Sequence, residues 1–331
     1  MGGYIPYHLR TNKNIERQLF IELLKKINHF QNLSEYTYIG FGGQFLEEYK
    51  ILYSSFEIKK MISMEIEELV HQRQEFNKPL SCIECLHTDS TSFIEEYNRD
   101  SIGATIIWLD YTNMDLYTQL KDSEDILNKL EHGDIFKITL NANPSNLTSS
   151  NSGLAGSELH KKRMEVYQEK VSEYFPPSVT DETMMTTKKY PKVLKNTLKI
   201  MIDKVFREKS LNFITLTSFV YEDGQQMFTL TGLVIDENSC SEFFRVTQLE
   251  AWKFFTNQDN EITFIDVPWL SVKEKTLIDQ YMPLEIGKDI SEIHDTIGLN
   301  LSEKNIEDSR EKLNEYSNYF HVMPQFMKIS T

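Results

Sequence analysis

The fold is decided by the stretch YTYIGFGGQF, residues 36–45. A β-rich run in this stretch breaks into Gly40-Phe41-Gly42-Gly43, and residues 45–56 then have the apolar spacing of a helix. A strand, a glycine turn and a helix in this order are typical of nucleotide binding, because residues without a Cβ let a ligand lie against the backbone. We therefore predict a nucleotide-type cofactor site at this turn.

Four more β-like segments follow, and helical patterns separate them. They are MISME (61–65), SCIECL (81–86), ATIIWLD (104–110) and DIFKITL (134–140). The last two are nearly continuous apolar runs, as expected of central strands that helices cover on both faces. An amphipathic helix over residues 14–30 precedes the first strand. The alternation predicts an α/β fold with a Rossmann-like, doubly wound, mostly parallel sheet.

The pattern changes after the fifth strand. Residues 141–210 are predicted to form an insertion, in which a loop rich in Asn, Ser and Gly precedes two charged helices at 158–174 and 193–208. Two β runs then meet at Asp223-Gly224, which is a hairpin signature. The sheet is therefore expected to end in an antiparallel pair over residues 213–235.

The Rossmann-like domain is predicted to cover residues 1–238. The remainder, residues 239–331, is expected to be a C-terminal α/β extension packed on the same domain. Its predicted elements are a helix near 247–255, a strand at 262–267, a helix after Leu270 and a last helix at 303–316.

Composition limits the class of protein and its partners. The chain of 331 residues carries 35 Lys and Arg against 50 Asp and Glu, a net charge of 35 − 50 = −15, which disfavours nucleic acid as a partner. Three cysteines are too few for a disulfide framework or a four-ligand zinc site. The sequence lacks the apolar core of a secretory signal and a membrane span of roughly 20 residues. We expect a cytoplasmic protein that binds no membrane; a protein partner or a homo-oligomer is left open.

Carboxylates follow three of the predicted strands. Glu65 ends the second strand, about 20 residues after the glycine turn, where it can accept hydrogen bonds from both ribose hydroxyls of a nucleotide. Asp89 follows the third strand and can accept from an adenine amino group, although it is also placed to cap the next helix. Asp110 ends the fourth strand at the carboxyl edge, where open α/β sheets bind ligands. We predict that all three contact the cofactor.

Two features select the cofactor. A dinucleotide fingerprint requires a third glycine at position 45, where the sequence has Phe45, and no GK[ST] motif for a P-loop is present. The antiparallel pair that closes the predicted sheet resembles the last two strands of class I methyltransferases. S-adenosylmethionine therefore fits this site better than NAD, FAD or ATP.

The acceptor side is predicted at the ends of the fourth and fifth strands. Asp110 and Tyr111 are the candidate catalytic residues there, and Asn141 and Asn143 are candidates for binding the acceptor. Alignment supplies most of the catalysis in an in-line methyl transfer, but an oxygen acceptor must also lose a proton. The alternative for Asp110 is a buried structural carboxylate that loop amides satisfy.

The proton acceptor is not fixed by the sequence. His87, His160 and Lys13 are candidates besides Asp110, and nothing in the sequence chooses between them. A Mg²⁺ ion held by Asp110 and Asn141 is disfavoured because the sequence offers only these two ligands. No metal is predicted.

Five runs in a fixed order carry a resemblance to a known family. They are YHLRTNK (7–13), YIGFGG (38–43), MISME (61–65), WLDYT (108–112) and ITLNA (138–142). Together they resemble the bacterial family of "putative O-methyltransferases" (O-methylases), over roughly the first 145 residues. The resemblance implies a Rossmann-like methyltransferase fold and S-adenosylmethionine, and little about the acceptor. Phe41 and Gln44 depart from the more acidic, glycine-richer first motif of well-studied methyltransferases.

The resemblance also draws attention to the N-terminal residues Arg10, Asn12, Lys13 and Arg17. It implies that they fold over the cofactor or bind an anionic acceptor, with Arg10 and Asn12 as substrate contacts and Lys13 as a catalytic residue. The alternative is that they form a solvated face of the first helix.

Two other functions compete with an O-methyltransferase. One is a catalytically degenerate partner protein that binds S-adenosylmethionine within a bacterial multi-protein system; intact Glu65, Asp89 and Asp110 favour the enzyme. The other is amino-methylation of a nucleic-acid base through Asn143-Pro144. That motif follows the fifth strand, whereas Asp110-Tyr111-Thr112 has the usual position after the fourth strand without a proline, and the net charge also opposes it.

Overall fold

The computed structural model of the chain describes residues 10–148, 153–179, 182–256, 262–285 and 287–323. Residues 7–9 of the YHLRTNK run and 149–152 of the predicted loop lie outside the described residues.

One sheet organises the described part of the chain. Its strands are β1 (Thr37–Gly40), β2 (Lys60–Glu65), β3 (Ile83–His87), β4 (Thr105–Asp110), β5 (Ile135–Asn141), β6 (Leu211–Glu222), β7 (Gln226–Asp236) and β8 (Thr263–Ile265). They lie in the order β3-β2-β1-β4-β5-β7-β6-β8. The first five strands are parallel, and β7 is antiparallel to β5. The predicted Rossmann-like sheet and its closing hairpin are therefore confirmed.

Helices connect the strands. They are α1 (Thr11–Ile27), α2 (Glu47–Phe56), α3 (Glu68–Asn77), α4 (Ser90–Glu96), α5 (Arg99–Ile102), α6 (Leu116–Lys129), α7 (Gly156–Val171), α8 (Tyr190–Phe206), α9 (Glu237–Thr247), α10 (Val272–Asp279), α11 (Ile290–Ile297) and α12 (Ile306–Tyr319). Because α2, α3 and α6 each join two parallel strands, their connections return the chain to the same edge of the sheet.

The two faces of the central strands differ in chemistry. Side chains alternate along a strand, so Phe136, Ile138 and Leu140 of β5 share one face. This face belongs to the main apolar cluster, to which α4, α6, α7 and α8 contribute. On the other face of β5, Lys137 and Thr139 are fully buried polar residues. The Lys137 ammonium lies 3.9 Å from the centre of the Trp108 ring on β4, a cation–π contact that offsets part of the cost of burying the charge.

The chain divides into two compact units. Among the described residues, the first comprises those within 21–220 and 225–263, and the second comprises those within 10–20, 221–224 and 264–323. The first unit contains the five parallel strands. The predicted boundary at residue 238 stays a prediction.

The C-terminal half contains one wrong prediction and one missed helix. The helix expected near 247–255 is wrong, because α9 ends at Thr247 and Gln248 has a left-handed φ of 49°. The helix lies before this point since Asp236 caps it and accepts a hydrogen bond from the Ser239 N–H at 2.9 Å. The short helix α11 was not predicted; Asp289 caps its start and Gly298, at φ 63°, ends it.

Candidate functional site

The glycine turn after β1 is shaped by packing within the protein. Gly42 has an ordinary right-handed backbone, with φ −77°. A Cβ there would lie 2.2 Å from Leu46 Cδ2, 2.6 Å from Ser63 Oγ and 2.9 Å from Tyr49 Cε2. Protein atoms therefore fill the space that a Cβ at position 42 would need, and contact of this turn with a cofactor stays a prediction. Gly43 needs to be glycine for another reason, because its φ of 50° lies in the left-handed region.

Hydrogen bonds from three elements hold the turn in place. The Gly42 N–H donates to Ser63 Oγ at 3.2 Å, and the Tyr49 hydroxyl lies 3.0 Å from the carbonyl of Gly40. The side chains of Gln74 and Asn77 on α3 donate to the carbonyls of Gly43 and Gln44, at 3.0 and 2.7 Å respectively. The backbone of the turn is thus fixed from β2, α2 and α3.

Glu65 is the last residue of β2 and is half-buried. Its Oε1 accepts a hydrogen bond from the Glu67 N–H at 2.9 Å. Burial raises the pKa of this carboxyl, and the backbone hydrogen bonds from Glu67 and Ile66 oppose that rise only in part. An ionised Glu65 therefore gains from any ligand hydroxyl that donates to it.

His87 lies beside Glu65 in the register of β2 and β3. Its Nε2 lies 2.9 Å from the carbonyl of Ile66, and its Nδ1 lies 3.1 Å from the Glu68 carboxylate. Both ring nitrogens therefore have partners on the protein. This arrangement does not favour His87 as the base considered above.

Asp89 caps α4. Its two carboxylate oxygens accept from the N–H and the hydroxyl of Ser92, at 2.8 and 3.0 Å. The backbone hydrogen bond from Ser92 is the main reason why the pKa of Asp89 lies below its ordinary value. The capping role that we gave as an alternative is confirmed, and contact with an adenine stays a prediction.

Asp110 and Tyr111 follow one another at the end of β4. Asp110 is half-buried and lies opposite Thr139 in the register with β5. The Tyr111 ring packs edge-on against Phe41 of the glycine turn, with centroids 5.3 Å apart. Its hydroxyl donates to the buried Asp122 at 2.8 Å, and burial raises the pKa of Tyr111 well above its ordinary value. Tyr111 thus keeps its proton, and a part for it in catalysis stays a prediction.

The asparagines after β5 form a tight turn. The Oδ1 atom of Asn141 accepts from the Asn143 N–H and the Asn146 amide at 3.0 Å each, and from the Gln225 amide at 3.2 Å. Asn143 caps the short helical turn Pro144–Leu147, and its Oδ1 accepts from the N–H and hydroxyl of Ser145. Contact of either residue with an acceptor stays a prediction.

Register brings four of the predicted residues onto one face of the sheet. Gly40 lies opposite Ser63 on β2 and Trp108 on β4. Glu65 and Asp110 lie two residues beyond these partners, so both project from the same face as Gly40 and flank the glycine turn. Thr139 of β5 lies opposite Asp110, and Asn141 is two residues beyond Thr139, so Asn141 projects from the same face as Asp110. The ends of β2 and β4 lie about 10 Å apart, twice the spacing of neighbouring strands, and each carries one of these carboxylates, on either side of the β1 turn.

The N-terminal residues are buried in the second unit. The Asn12 side chain donates to the Glu222 carbonyl at 2.9 Å and accepts from the Val267 N–H at 3.0 Å. The Lys13 N–H donates to Asp223 at 2.7 Å. Only 3%, 7% and 3% of Asn12, Lys13 and Arg17 is exposed, so the solvated face that we gave as the alternative is wrong for these residues. Roles of Arg10, Asn12 and Lys13 toward a substrate stay predictions.

Asp122 was not predicted to have a role, and Asp223 was predicted only as part of a hairpin turn. Each is a carboxylate that ties together segments distant in sequence, and nothing local in the sequence indicates such a role. Among the described residues, no group of three or more His, Cys, Asp and Glu side chains could hold a metal ion. In the same part of the chain, no helix combines the length and apolar character that crossing a membrane requires.

The sheet and its edge define the class of protein. Five parallel strands, a glycine turn after β1, carboxylates after β2, β3 and β4, and an antiparallel β6–β7 closure are the features of a class I methyltransferase fold. The chain belongs to the family described as "Putative O-methyltransferase", whose model matches residues 5–331.

Solved structures with a similar arrangement include several methyltransferases. The plantazolicin methyltransferase BamL, in complex with a triazolic desmethylPZN analog and SAH, is 9% identical, with 69% of this chain and 88% of that chain covered and a TM-score of 0.41. An O-methyltransferase from Bacillus cereus in complex with SAH is 10% identical (65% and 79% covered, TM-score 0.35). The O-methyltransferase TomG from Streptomyces achromogenes, in complex with SAM, is 9% identical, with 65% of this chain and 78% of that chain covered and a TM-score of 0.36. No curated protein matches the chain in sequence.

Proposed function

We propose that the chain transfers a methyl group from S-adenosylmethionine to an oxygen atom of an acceptor. The observation that carries this proposal is the pair of carboxylates, Glu65 and Asp110, that flank the β1 turn on one face of the sheet. Family membership supports methyl transfer, and the O-methyl specificity follows the family description.

The residues at the edge have the chemistry that the cofactor needs. A carboxylate accepts several hydrogen bonds, so Glu65 has acceptor capacity for two ribose hydroxyls besides the bond from Glu67. Asp89 has acceptor capacity left for an adenine amino group while it caps α4. Both side chains are acceptors, which suits the donors of a nucleoside and repels phosphates. When bound, S-adenosylmethionine supplies a methyl group on a positively charged sulfur.

Asp110 is the residue that we assign to the acceptor side. Its carboxylate belongs to the face that carries the glycine turn and Asn141, so an acceptor between β4 and β5 lies within its reach. In the transfer, the acceptor oxygen forms a bond to the methyl carbon, the carbon–sulfur bond breaks, and its electron pair stays on sulfur. Asp110 takes the proton that the acceptor hydroxyl loses. The negative charge of Asp110 also favours a cationic donor nearby.

The base amino-methyltransferase is less well supported by the geometry. Its motif would need the Asn143 side chain for the base, and that side chain accepts two hydrogen bonds from Ser145 as a helix cap.

The test is a pair of measurements on the full chain. S-adenosylhomocysteine at millimolar concentration should raise the Tm by stabilising the native state, and NADH should not. Asp110→Asn should lose about 10²–10⁴-fold in the rate of labelled-methyl transfer to acceptors in a cell extract, and far less in its affinity for S-adenosylhomocysteine. Asp115→Asn is the matched control, because Asp115 caps α6 five residues further on.

Two outcomes would count against the proposal. A folded wild-type chain whose Tm does not respond to S-adenosylhomocysteine contradicts the cofactor. Unchanged methyl transfer by Asp110→Asn contradicts the catalytic role, and a variant that only loses stability identifies Asp110 as a structural carboxylate.

A further inference from the structure

We infer that Asp122, a residue of α6 outside the edge described above, is a positioning residue of the cofactor site. This inference rests on the proposed function. Asp122 is 2% exposed and contacts the start of α4 and the loop that follows β4. Its role comes from the three hydroxyl groups that it holds.

The three hydroxyls belong to two separate segments, the first turn of α4 and the loop after β4. Asp122 Oδ2 accepts from Ser90 Oγ at 2.5 Å and from the Tyr111 hydroxyl at 2.8 Å, and Oδ1 accepts from Thr91 Oγ1 at 2.8 Å. Ser90 and Thr91 directly follow Asp89, and Tyr111 directly follows Asp110. One carboxylate therefore holds the start of α4 against the loop after β4, and each of these segments adjoins a predicted ligand contact.

The same network reaches the glycine turn. The Tyr111 ring packs against Phe41 at 5.3 Å between centroids. Any shift of the Tyr111 hydroxyl moves this ring and the turn against which it rests. Asp122 thus connects the glycine turn, the start of α4 and the loop after β4 through groups that touch, although none of its own three partners is a predicted cofactor contact.

The chemistry of the network suits orientation better than general stability. In the part of the chain that the structure describes, Asp122 makes no ion pair, so a buried carboxylate is balanced by hydroxyl donors alone. Such a group is costly to bury, and an apolar side chain would fill the same space on α6 at lower cost. A fully satisfied buried polar network does, however, fix one arrangement of the segments that it joins. Here those segments are the walls of the site.

The experiment compares affinity for S-adenosylhomocysteine in variants that are folded at the temperature of measurement. Asp122→Asn keeps the shape but weakens two of the three bonds, and we expect its Kd to rise about tenfold. Tyr111→Phe removes one hydroxyl from the same network and should raise Kd by several-fold. If both substitutions act through the network, the Kd of the double variant should exceed that of either single variant, but its rise should be smaller than the product of the two single rises. Asp125→Asn is the matched control on the same helix, because its side chain is 44% exposed and pairs only with Lys121; its Kd should not change.

The outcomes separate a positioning role from a structural one. If Asp122 is only structural, Asp122→Asn will lower the Tm and leave the Kd of the folded fraction within twofold of the wild type. That result overturns the inference. If Asp122→Asn does not fold, Tyr111→Phe decides, and a Kd equal to that of the wild type is again contrary. A wild-type chain that does not bind S-adenosylhomocysteine overturns the proposed function, and this inference with it. Binding by the wild type with unchanged Kd in both variants overturns this inference alone.

Discussion

Gly42→Ala tests why the turn after β1 contains glycine. The backbone of Gly42 is right-handed, so alanine meets no conformational penalty there. Its Cβ would stand 2.2 Å from Leu46 Cδ2, whereas carbon atoms pack at about 3.5–4.0 Å. Leu46 would have to move by roughly 1.3–1.8 Å, and it is fully buried with its own φ at 50°.

The expected cost follows from this overlap. Overpacking of a rigid site costs about 1–3 kcal/mol, which corresponds to a fall in Tm of about 2–12 °C for a large domain. Tyr49, the third group in the path, holds the Gly40 carbonyl, so the turn itself should shift. We therefore expect affinity for S-adenosylhomocysteine to fall at least about tenfold.

The control is Gly103→Ala, at the amino edge of the sheet. Gly103 has a φ of 88° and no atom within 4 Å of a Cβ, so alanine there should lower the Tm through backbone strain of about 1–3 kcal/mol. It should leave ligand affinity unchanged. Melting curves and calorimetry on both variants give the comparison. A Gly42→Ala protein with the stability and affinity of the wild type would refute the packing argument.

Two further predictions concern the carboxylates. Glu65→Gln should raise the Tm of the ligand-free chain at pH 7 and weaken S-adenosylhomocysteine binding by about 1.5–3 kcal/mol. Because the folded pKa of Glu65 is raised, the contribution of Glu65 to stability is present at acid pH and is lost as the pH rises through that pKa. The rise in Tm of the variant over the wild type should therefore vanish in melts at acid pH. A variant that is less stable at both pH values would contradict this. Asp89→Ala should lower the free energy of unfolding by about 0.5–2 kcal/mol at pH 7 through loss of the α4 cap. Since the folded pKa of Asp89 is lowered, this loss should shrink as the pH falls through that pKa. A loss in denaturant melts that does not depend on pH would argue against the cap.

The parallel sheet could be predicted because its strands are short apolar runs between clear helical patterns. β4 and β5 lie within one residue of the runs 104–110 and 134–140. The helix expected near 247–255 was wrong, because the cap at Asp236 and the break at Gln248 set the bounds of α9 more strongly than the apolar spacing does. Local signals of this kind are weaker than the buried runs.

The site could be predicted in position better than in purpose. Glu65, Asp89 and Asp110 come after the strands where we expected them. The packing reason for Gly42 was not predicted, because the space beside it depends on Leu46, Ser63 and Tyr49, which only the folded chain brings together. Asp122 could not be found at all, because its partners precede it by up to 32 residues. Contacts across such separations leave no pattern in a single sequence.

The closure of the sheet by β7 also bears on when the site is completed during synthesis. Asn141 receives its third hydrogen bond from Gln225, 84 residues further on, and Gln226 joins the carbonyls of Ala142 and Thr187. A growing chain that has reached residue 210 already contains all five parallel strands, but not the neighbour that β5 needs. Domains made from the N-terminus onward bury such long-range pairings last. The edge that carries Asp110 and Asn141 is therefore completed late, and a nascent chain acquires the glycine turn and its carboxylates well before β7 pairs with β5.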